Sequence, residues 1–241
     1  MQRSSSSIFM SFVRKLHKWL GLIVGVQVFL WTLSGLIFAW LDHHQVSAEQ
    51  SVRESEPTQI NLNAPILEPS LWLAGATASI YDIRLTTLLD RPVWRVESSQ
   101  GVALYGLDGA SLIMDEHLIR ALASRRYVGP GALVSVSFDA GPTLEARGAG
   151  AVWRAEFDDP ARTTLYFAAE DGRLVATRND TWRWFDWFWM LHTMDYRGRD
   201  DFNNPLVITL GTAALWLALS GFLLLFQSFR REDFFLPSRR A

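Results

Sequence analysis

Two long apolar segments near the two ends of the chain dominate its hydrophobicity pattern. They cover residues 19–41 and 205–228, and neither contains Lys, Arg, Asp or Glu. Each is close to the roughly 20 residues with which an α-helix crosses about 30 Å of hydrocarbon. We therefore predict two transmembrane helices, each ending in a Leu-Ser-Gly turn, at residues 33–35 and 219–221.

The polar stretch between these segments contains an internal repeat. The sequence Val-Trp-Arg-x-Glu occurs at residues 93–97 and again at 152–156, and in both places a Leu-Tyr and an Asp-Gly follow. The two-residue alternation is typical of strands with one covered face, and Asp-Gly is typical of tight turns. We predict two copies of one unit, a helix followed by antiparallel strands. The predicted helices cover residues 71–79 and 116–125, a further strand covers 132–138, and a linker covers 48–69.

The predicted fold class is an α+β membrane protein, in which two transmembrane helices flank a module of two helix and antiparallel-strand repeats. The predicted segments are a cytoplasmic N-terminus (1–18), the first transmembrane helix (19–41), a periplasmic linker (42–70), the first repeat (71–115), the second repeat (116–180), an aromatic interfacial segment with a polar loop (181–204), the second transmembrane helix (205–228) and a cytoplasmic C-terminus (229–241).

The charge distribution predicts the orientation in the membrane. Arg14, Lys15 and Lys18 precede the first apolar segment, and four arginines follow the second. By the positive-inside rule, both termini are expected in the cytoplasm and the central module outside, in a periplasm-like space. The chain has 23 Lys and Arg against 25 Asp and Glu, so it lacks the positive excess that nucleic-acid binding requires. The lipid bilayer is the expected partner, and nucleic acid is not.

Histidine is the residue type that could support cofactor chemistry. The chain has no cysteine, which excludes thiolate-ligated clusters, cysteine nucleophiles and covalent c-type haem attachment. On a continuous helix His17 would share one face with small residues and with His43, whereas His44 would point away. The small residues allow either close helix packing or a gap for a flat ligand. They are Gly21, Gly25 and Gly35 on the first helix, and Gly211 and Gly221 on the second.

The ordered combination of motifs resembles the PepSY-associated transmembrane family. It consists of Arg-Lys-Leu-His-Lys-Trp-Leu-Gly at residues 14–21, Leu-Ser-Gly at 33–35, the repeated strand units, Leu-His at 191–192 and Leu-Ser-Gly at 219–221. Larger members of this family, with four or more spans, include inner-membrane siderophore and ferric reductases that hold b-type haems with membrane histidines. The resemblance implies location in a bacterial inner membrane and haem b as the cofactor. This chain departs from those members because it has only two predicted spans.

The resemblance and the histidine positions together predict haem ligands at two levels of the membrane. His17 would serve an inner haem, and His192 with His43 or His44 an outer one. His17 and His43 would lie about 39 Å apart on a continuous helix, too far to share one iron. Because no second histidine lies on the inner side, we expect a homodimer or a larger membrane complex to supply the missing ligand.

The expected function is transmembrane electron transfer from a cytoplasmic reductase or quinol to a periplasmic ferric chelate or protein acceptor. The alternative is a non-catalytic membrane anchor whose PepSY-like module binds peptide or regulates a periplasmic protease. A third possibility is an accessory subunit of a larger membrane complex. Histidines at both membrane faces favour the electron-transfer interpretation, since a tethered inhibitor has no need of them.

Overall fold

The computed structural model describes residues 5–53, 60, 65–74 and 77–228. The chain divides into a helical unit, residues 1–40 and 186–241, and a sheet unit, residues 41–185. Part of the predicted linker, residues 54–59 and 61–64, lies outside the described residues. So does the predicted cytoplasmic C-terminus, residues 229–241.

Three long helices contribute to the helical unit. They are α1 (Ser5–Trp40), α5 (Asp180–Thr193), whose C-terminal part belongs to this unit, and α6 (Pro205–Ser228). Among the described residues, two helical stretches are long and apolar enough to cross a membrane, Ile8–Trp40 and Pro205–Phe226. The structure thus confirms the predicted fold class, two apolar helices on either side of a sheet-rich module.

Helix α1 is longer than the apolar segment that predicted it. Its 36 residues correspond to a length of about 54 Å. The helix is longer than the apolar segment because it already includes Arg14, Lys15 and Lys18, which come before that segment in the sequence. Lys and Arg are good helix formers, and their long side chains can reach the interface from a helix end. The predicted Leu-Ser-Gly turns are wrong, since α1 continues to Trp40 and α6 to Ser228.

Helix α1 does not continue to His43, so the condition under which His43 would share a face with His17 is not met. The helix ends at Trp40, and Asp42 has an extended backbone and caps the short helix α2 (His43–Ser47). The Asp42 carboxylate accepts a hydrogen bond from the backbone N–H of His44 at 3.0 Å. An aspartate N-cap of this kind starts a new helix.

The packed face of α1 follows a three-four spacing through Val13, Val24, Gln27 and Ser34, all of which are buried. Helix α6 runs antiparallel to α1 along it, since His17 meets Ser220 and a Cβ added at Gly21 would lie 3.7 Å from Leu217. The face contains polar residues at its centre, so its specificity does not come from apolar packing alone.

The sheet unit contains two four-stranded antiparallel sheets, each with its strands in sequential order. The strands of the first are β1 (Ile80–Leu88), β2 (Arg91–Ser98), β3 (Gly101–Tyr105) and β4 (Ser111–Leu112); those of the second are β5 (Leu133–Asp139), β6 (Val152–Phe157), β7 (Thr164–Ala168) and β8 (Leu174–Arg178). The two Val-Trp-Arg-x-Glu motifs occupy β2 and β6. They hold equivalent places in the two sheets.

The Leu-Tyr pairs are not equivalent, although their sequences match. Tyr105 lies opposite Trp94 on the neighbouring strand, whereas Phe167, not Tyr166, lies opposite Trp153. The pairing of β6 with β7 is therefore shifted by one residue relative to that of β2 with β3. Such a shift exchanges the two faces of the strand, which explains why Tyr166 and Tyr105 have different surroundings.

Helix α4 (Glu116–Arg126) confirms the helix predicted at 116–125, and β5 confirms the strand predicted at 132–138. The helix predicted at 71–79 is wrong. Among the described residues of this stretch, helix is limited to the end of α3 (Pro69–Trp72), and the chain is already bonded to the end of the first sheet at Ser79. The N–H and the C=O of Ser79 both form hydrogen bonds with Ser99, so the residue just before β1 extends the pairing of the sheet.

A single core joins the two sheets through α4. Ile119 of α4 and Leu165 and Phe167 of β7 are fully buried, and Leu88 and Leu104 of the first sheet pack in the same cluster. Residues of both sheets therefore pack with α4 in one cluster, which is larger than the other buried cluster among the described residues.

A buried polar group organises the loop from α4 to β5. The Asp159 carboxylate accepts hydrogen bonds from the Tyr127 hydroxyl at 2.9 Å and from the Thr163 N–H at 2.6 Å. The Tyr127 hydroxyl in turn accepts from the Gly131 N–H at 3.1 Å. Burial raises the pKa of Tyr127, and the nearby Asp159 carboxylate raises it further.

Gly131→Ala tests how closely the backbone at residue 131 approaches the loop at Asp159. A Cβ at position 131 would lie 2.5 Å from the backbone N of Asp159, and a backbone atom held in a bonded loop cannot move aside cheaply. We expect a loss of about 1–3 kcal/mol in the free energy of unfolding, measured by denaturant titration of the full chain in detergent.

Gly141→Ala is the matched control, because a Cβ there meets nothing within 4 Å. It is expected to be neutral or slightly stabilising, since alanine restricts the unfolded chain. Equal losses from the two substitutions would contradict the close contact at Gly131.

Candidate functional site

His17 of α1 is half-buried and points at α6. Its Nδ1 lies 2.7 Å from Oγ of Ser220. A Cβ added at the next residue, Gly221, would lie 3.3 Å from Cε1 of the ring. The small residue at 221 therefore gives the imidazole room beside α6.

The hydrogen bonds of Ser220 connect the tautomer of His17 to the direction of the serine proton. The Ser220 hydroxyl has one proton, and the Leu217 carbonyl lies 2.9 Å away as an acceptor. When the proton is donated to that carbonyl, the hydroxyl accepts from His17 and the imidazole carries its own proton on Nδ1. In that arrangement the lone pair of Nε2 is available, and Nε2 has no hydrogen-bond partner among the described residues.

His192, in the last turn of α5, repeats this arrangement on the other half of the helical unit. Its Nδ1 lies 2.8 Å from Oγ of Ser34, which is buried and is also 2.8 Å from the Leu30 carbonyl. With the serine proton donated to its own helix, His192 would also carry its proton on Nδ1. Phe38 packs edge-on against the ring at 5.5 Å.

The two histidine–serine pairs are reciprocal. The serine of each Leu-Ser-Gly motif is hydrogen-bonded to a histidine outside its own helix, Ser34 to one on α5 and Ser220 to one on α1. Ser34 follows His17 by 17 residues on α1, which places the pairs about 26 Å apart along the helix axis. That spacing is close to the hydrocarbon thickness of a bilayer.

The end of α5 is held by polar side chains of α1 that the sequence analysis missed. Gln27 Nε2 donates to the Leu191 carbonyl at 3.2 Å, and Trp31 Nε1 donates to the His192 carbonyl at 2.8 Å. The last carbonyls of a helix have no partner within it, and such side chains satisfy them. The spacing of four and then three residues between Gln27, Trp31 and Ser34 was the available signal, because it places these polar atoms on one helix face and polar atoms inside an apolar segment need partners.

The loop after His192 is built around Asp195. Its carboxylate accepts four backbone N–H groups, those of Arg197, Gly198, Asp200 and Asp201, each at 3.1 Å. Led by the bond from Asp201, they lower the pKa of Asp195 to about 2. The loop is thereby a fixed structure.

A second set of contacts ties this loop back to α5. Arg199 pairs with the buried Asp186, and its carbonyl accepts a hydrogen bond from Trp189 Nε1 at 3.0 Å. Asn204 donates to the Thr193 carbonyl at 2.8 Å just before α6 begins. His192 is therefore positioned from three sides, by α1, by its own helix and by the loop.

His43 and His44 lie in α2, in the sheet unit, and both are exposed. His44 Nδ1 lies 3.0 Å from the Glu49 carboxylate, which raises the pKa of His44 through the hydrogen bond and its charge. His117, at the start of α4, is exposed. Within the described part of the chain, no three His, Cys, Asp or Glu residues come together as a metal site.

The glycines predicted at the helix faces fall into two groups. Gly21 and Gly221 lie at the contact of α1 with α6, whereas a Cβ added at Gly25, Gly35 or Gly211 would meet nothing within 4 Å. The last three therefore leave helix surface open, and their role stays a prediction.

The surroundings of His17 fit a large flat ligand on the open side of the imidazole. A cavity of about 400 Å³ lies there, lined by Arg14, His17, Gly221, Leu224, Leu225 and Ser228. Apolar side chains, one cation and an imidazole are the groups that would hold a porphyrin, its carboxylate and its iron. The residues present thus fit haem b at one axial position.

Asp195→Asn tests the loop that positions His192. An amide side chain has one acceptor oxygen, so two of the four N–H groups lose their partner. We expect faster hydrogen exchange at these amides, with no such change for Asp200→Asn, whose side chain is exposed in the same loop.

The pH dependence follows from the lowered pKa. The stabilising contribution of ionised Asp195 is complete above the unfolded pKa of about 3.9 and is lost as the pH falls through about 2. A carboxyl ¹³C titration with a midpoint near 4 would contradict the four-bond geometry.

Comparison with family models gives one finding that agrees with this architecture. The model of the PepSY-associated TM region matches residues 14–241, a range that includes both apolar helices, both repeats and both histidine–serine pairs. No curated protein and no solved structure matched the chain. The chain is a membrane protein that belongs to the PepSY-associated TM family.

Proposed function

We propose that this protein is a haem b-containing electron-transfer protein of the bacterial inner membrane. The observation that carries the proposal is the pair of half-buried imidazoles, His17 and His192, each with Nδ1 within hydrogen-bond distance of a serine hydroxyl. A ligating histidine typically donates its other N–H to a fixed acceptor, which sets the tautomer and the ring orientation. With each serine proton donated to its own helix, both histidines would meet this condition before any ligand binds.

Electron transfer across the membrane requires carriers near both faces. The two histidine–serine pairs are separated by about 26 Å along α1, so one lies toward each face. With Arg14, Lys15 and Lys18 on the cytoplasmic side, His17 belongs to the cytoplasmic level and His192 to the periplasmic level. A bound haem b would supply one-electron chemistry at each level; the chain contributes the ligands and their orientation.

Each level would have one imidazole from the helical unit, so a second ligand would have to come from another donor. A two-fold homodimer would provide a second His17 and a second His192 without any further sequence. Open helix surface is available at Gly25, Gly35 and Gly211. The role of His43 or His44 as a further ligand stays a prediction from the sequence; within α2, His44 pairs with Glu49.

The proposed direction of transfer is from a cytoplasmic reductase or quinol to a periplasmic acceptor, a ferric chelate or a protein. The residues of the chain bind and orient the carrier, and neither a general acid nor a nucleophile is required. The loop around Asp195 would present a fixed charged surface near the periplasmic level.

Separate substitution of the two histidines tests the two-level proposal. We expect His17→Ala and His192→Ala each to remove about half of the bound haem, measured by pyridine haemochrome assay on the detergent-purified protein. The remaining half should keep a b-type spectrum. His117→Ala, at an exposed position of α4, should leave the haem content unchanged.

Complete loss of haem from each single variant would contradict two independent levels. A well-folded wild-type protein that takes up no haem would contradict the proposal as a whole. It would favour the peptide-binding alternative, for which β1 offers an edge strand with exposed Tyr81 and Ile83.

Removing the serine hydroxyls tests the role of the hydrogen bonds. Ser34→Ala and Ser220→Ala should each weaken haem binding about 10–100-fold at their own level, measured by haem titration. Matched controls are Thr32→Ala and Thr212→Ala, whose hydroxyls bond only to carbonyls of their own helix. Equal effects of the serine and threonine substitutions would show that a change in helix bending, and not a loss of histidine orientation, causes the weaker haem binding.

A further inference from the structure

An arginine-lined cavity of about 690 Å³ lies in the sheet unit, apart from any histidine. One wall is the face of the first sheet formed by β1, β2 and β3. The opposite wall is the C-terminal half of α4 with the turn between β7 and β8. The arginines that line it are Arg53, Arg84, Arg95, Arg125, Arg126 and Arg173.

The cavity carries an excess of positive charge. The described residues of the lining include six arginines and two carboxylates, Asp90 and Asp171. Both carboxylates already have a partner, since Asp171 binds Arg95 at 3.1 Å and Asp90 binds Arg125 through both carboxylate oxygens. These two ion pairs leave Arg53, Arg84 and Arg173 without a carboxylate partner among the described lining residues.

Arg84 and Arg95 are directly opposite each other on β1 and β2. Like charges in this position destabilise a sheet unless an anion lies between or beside them. Arg95 forms ion pairs with Asp171 and Glu97, whereas Arg84 forms an ion pair with the exposed Asp82 at 3.5 Å. Such an exposed ion pair contributes little, so Arg84 can accept a better partner.

Arg126 and Arg173 line the opposite wall. Arg173 makes no ion pair within the described residues. Cations of two elements thus converge on one space.

The counterpart of Arg95 in the second repeat does not line the cavity. Arg154, which corresponds to Arg95 in the repeated motif, pairs with Glu156 at 3.0 Å and is not part of the lining. The difference arises because the β7–β8 turn of the second repeat, with Asp171, packs against the first repeat. The charged cavity therefore forms between the two repeats and is not a property of the motif.

We propose that this cavity binds a small molecule that carries two or more carboxylate or phosphate groups. Guanidinium groups form paired hydrogen bonds with both kinds of oxyanion. The volume lies within the range of small-molecule sites, about 300–1,000 Å³, and exceeds what a single inorganic ion fills. The site is independent of haem binding, since its lining contains no histidine.

Calorimetric titration of the full-length protein in a non-ionic detergent tests the proposal, with citrate and pyrophosphate as probes at constant ionic strength. We expect saturable binding of at least one probe with one site per chain, and no comparable binding of acetate. Citrate alone would identify a polycarboxylate site, and pyrophosphate alone a phosphate site.

The double substitution Arg84→Gln with Arg173→Gln should weaken binding at least tenfold. The matched control is Arg91→Gln with Arg154→Gln, which removes the same charge from the same two repeats outside the cavity and should change the affinity less than twofold. Arg84→Lys should give an intermediate loss, because it keeps the charge but not the planar fork.

A Kd of about 1 mM is the weak end of ordinary ligand affinity. The proposal would be overturned if neither probe showed saturable binding at concentrations up to about 10-fold above that value. Equal weakening in the cavity and control variants would also overturn it, because it would indicate general charge attraction. Thermal unfolding of each variant shows that the protein is folded, and Arg84, whose side chain is 58% exposed, is not needed for the core.

Discussion

The helical unit depends on one repeated interaction, a serine hydroxyl inside an apolar helix that is hydrogen-bonded to Nδ1 of a histidine from another helix. Each serine also lies within hydrogen-bond distance of a carbonyl of its own helix, and a serine that donates its proton there offers the histidine only a lone pair. An unpaired imidazole N–H in an apolar environment would cost about 1–3 kcal/mol. The serine positions therefore determine where each histidine can lie and which nitrogen it presents.

The same constraint explains the other polar residues of α1. The end of α5 brings the carbonyls of Leu191 and His192 against α1, and Gln27 and Trp31 satisfy them. Apolar side chains at these positions would leave two buried carbonyls without partners. The loop around Asp195 then closes the connection to α6, and Asn204 bonds back to Thr193. His192 is thus held by a connected set of hydrogen bonds.

Much of the fold could be predicted because it follows from local pattern. Apolar length predicted α1 and α6, the repeated motif predicted β2 and β6, and the repeat unit predicted α4 as its helix. The helix predicted at 71–79 failed because its end at Ser79 bonds to Ser99, a tertiary contact that propensity does not contain. The one-residue shift in the pairing of β6 with β7 could not be predicted, because sequence similarity does not determine strand register.

The candidate site was predictable in its residue types but not in its pairings. His17 and His192 could be selected because histidines are uncommon beside apolar helices, and Ser34 and Ser220 were visible as Leu-Ser-Gly motifs. That each serine binds the histidine of another helix depends on antiparallel packing and on the return of α5, which are three-dimensional facts. The arginine cavity was missed because its residues come from β1, β2, α4 and the β7–β8 turn, distant in sequence and unremarkable one at a time.

The most direct test of this account is the ¹⁵N spectrum of the histidine rings in the haem-free, ¹⁵N-histidine-labelled protein in detergent at neutral pH. The account predicts that His17 and His192 both carry the proton on Nδ1, with Nε2 unprotonated, and that Ser220→Ala and Ser34→Ala each abolish this preference at one ring only. Protonation on Nε2 in the wild-type protein, or rings that average both tautomers, would contradict the serine-imposed orientation on which the proposed haem ligation rests.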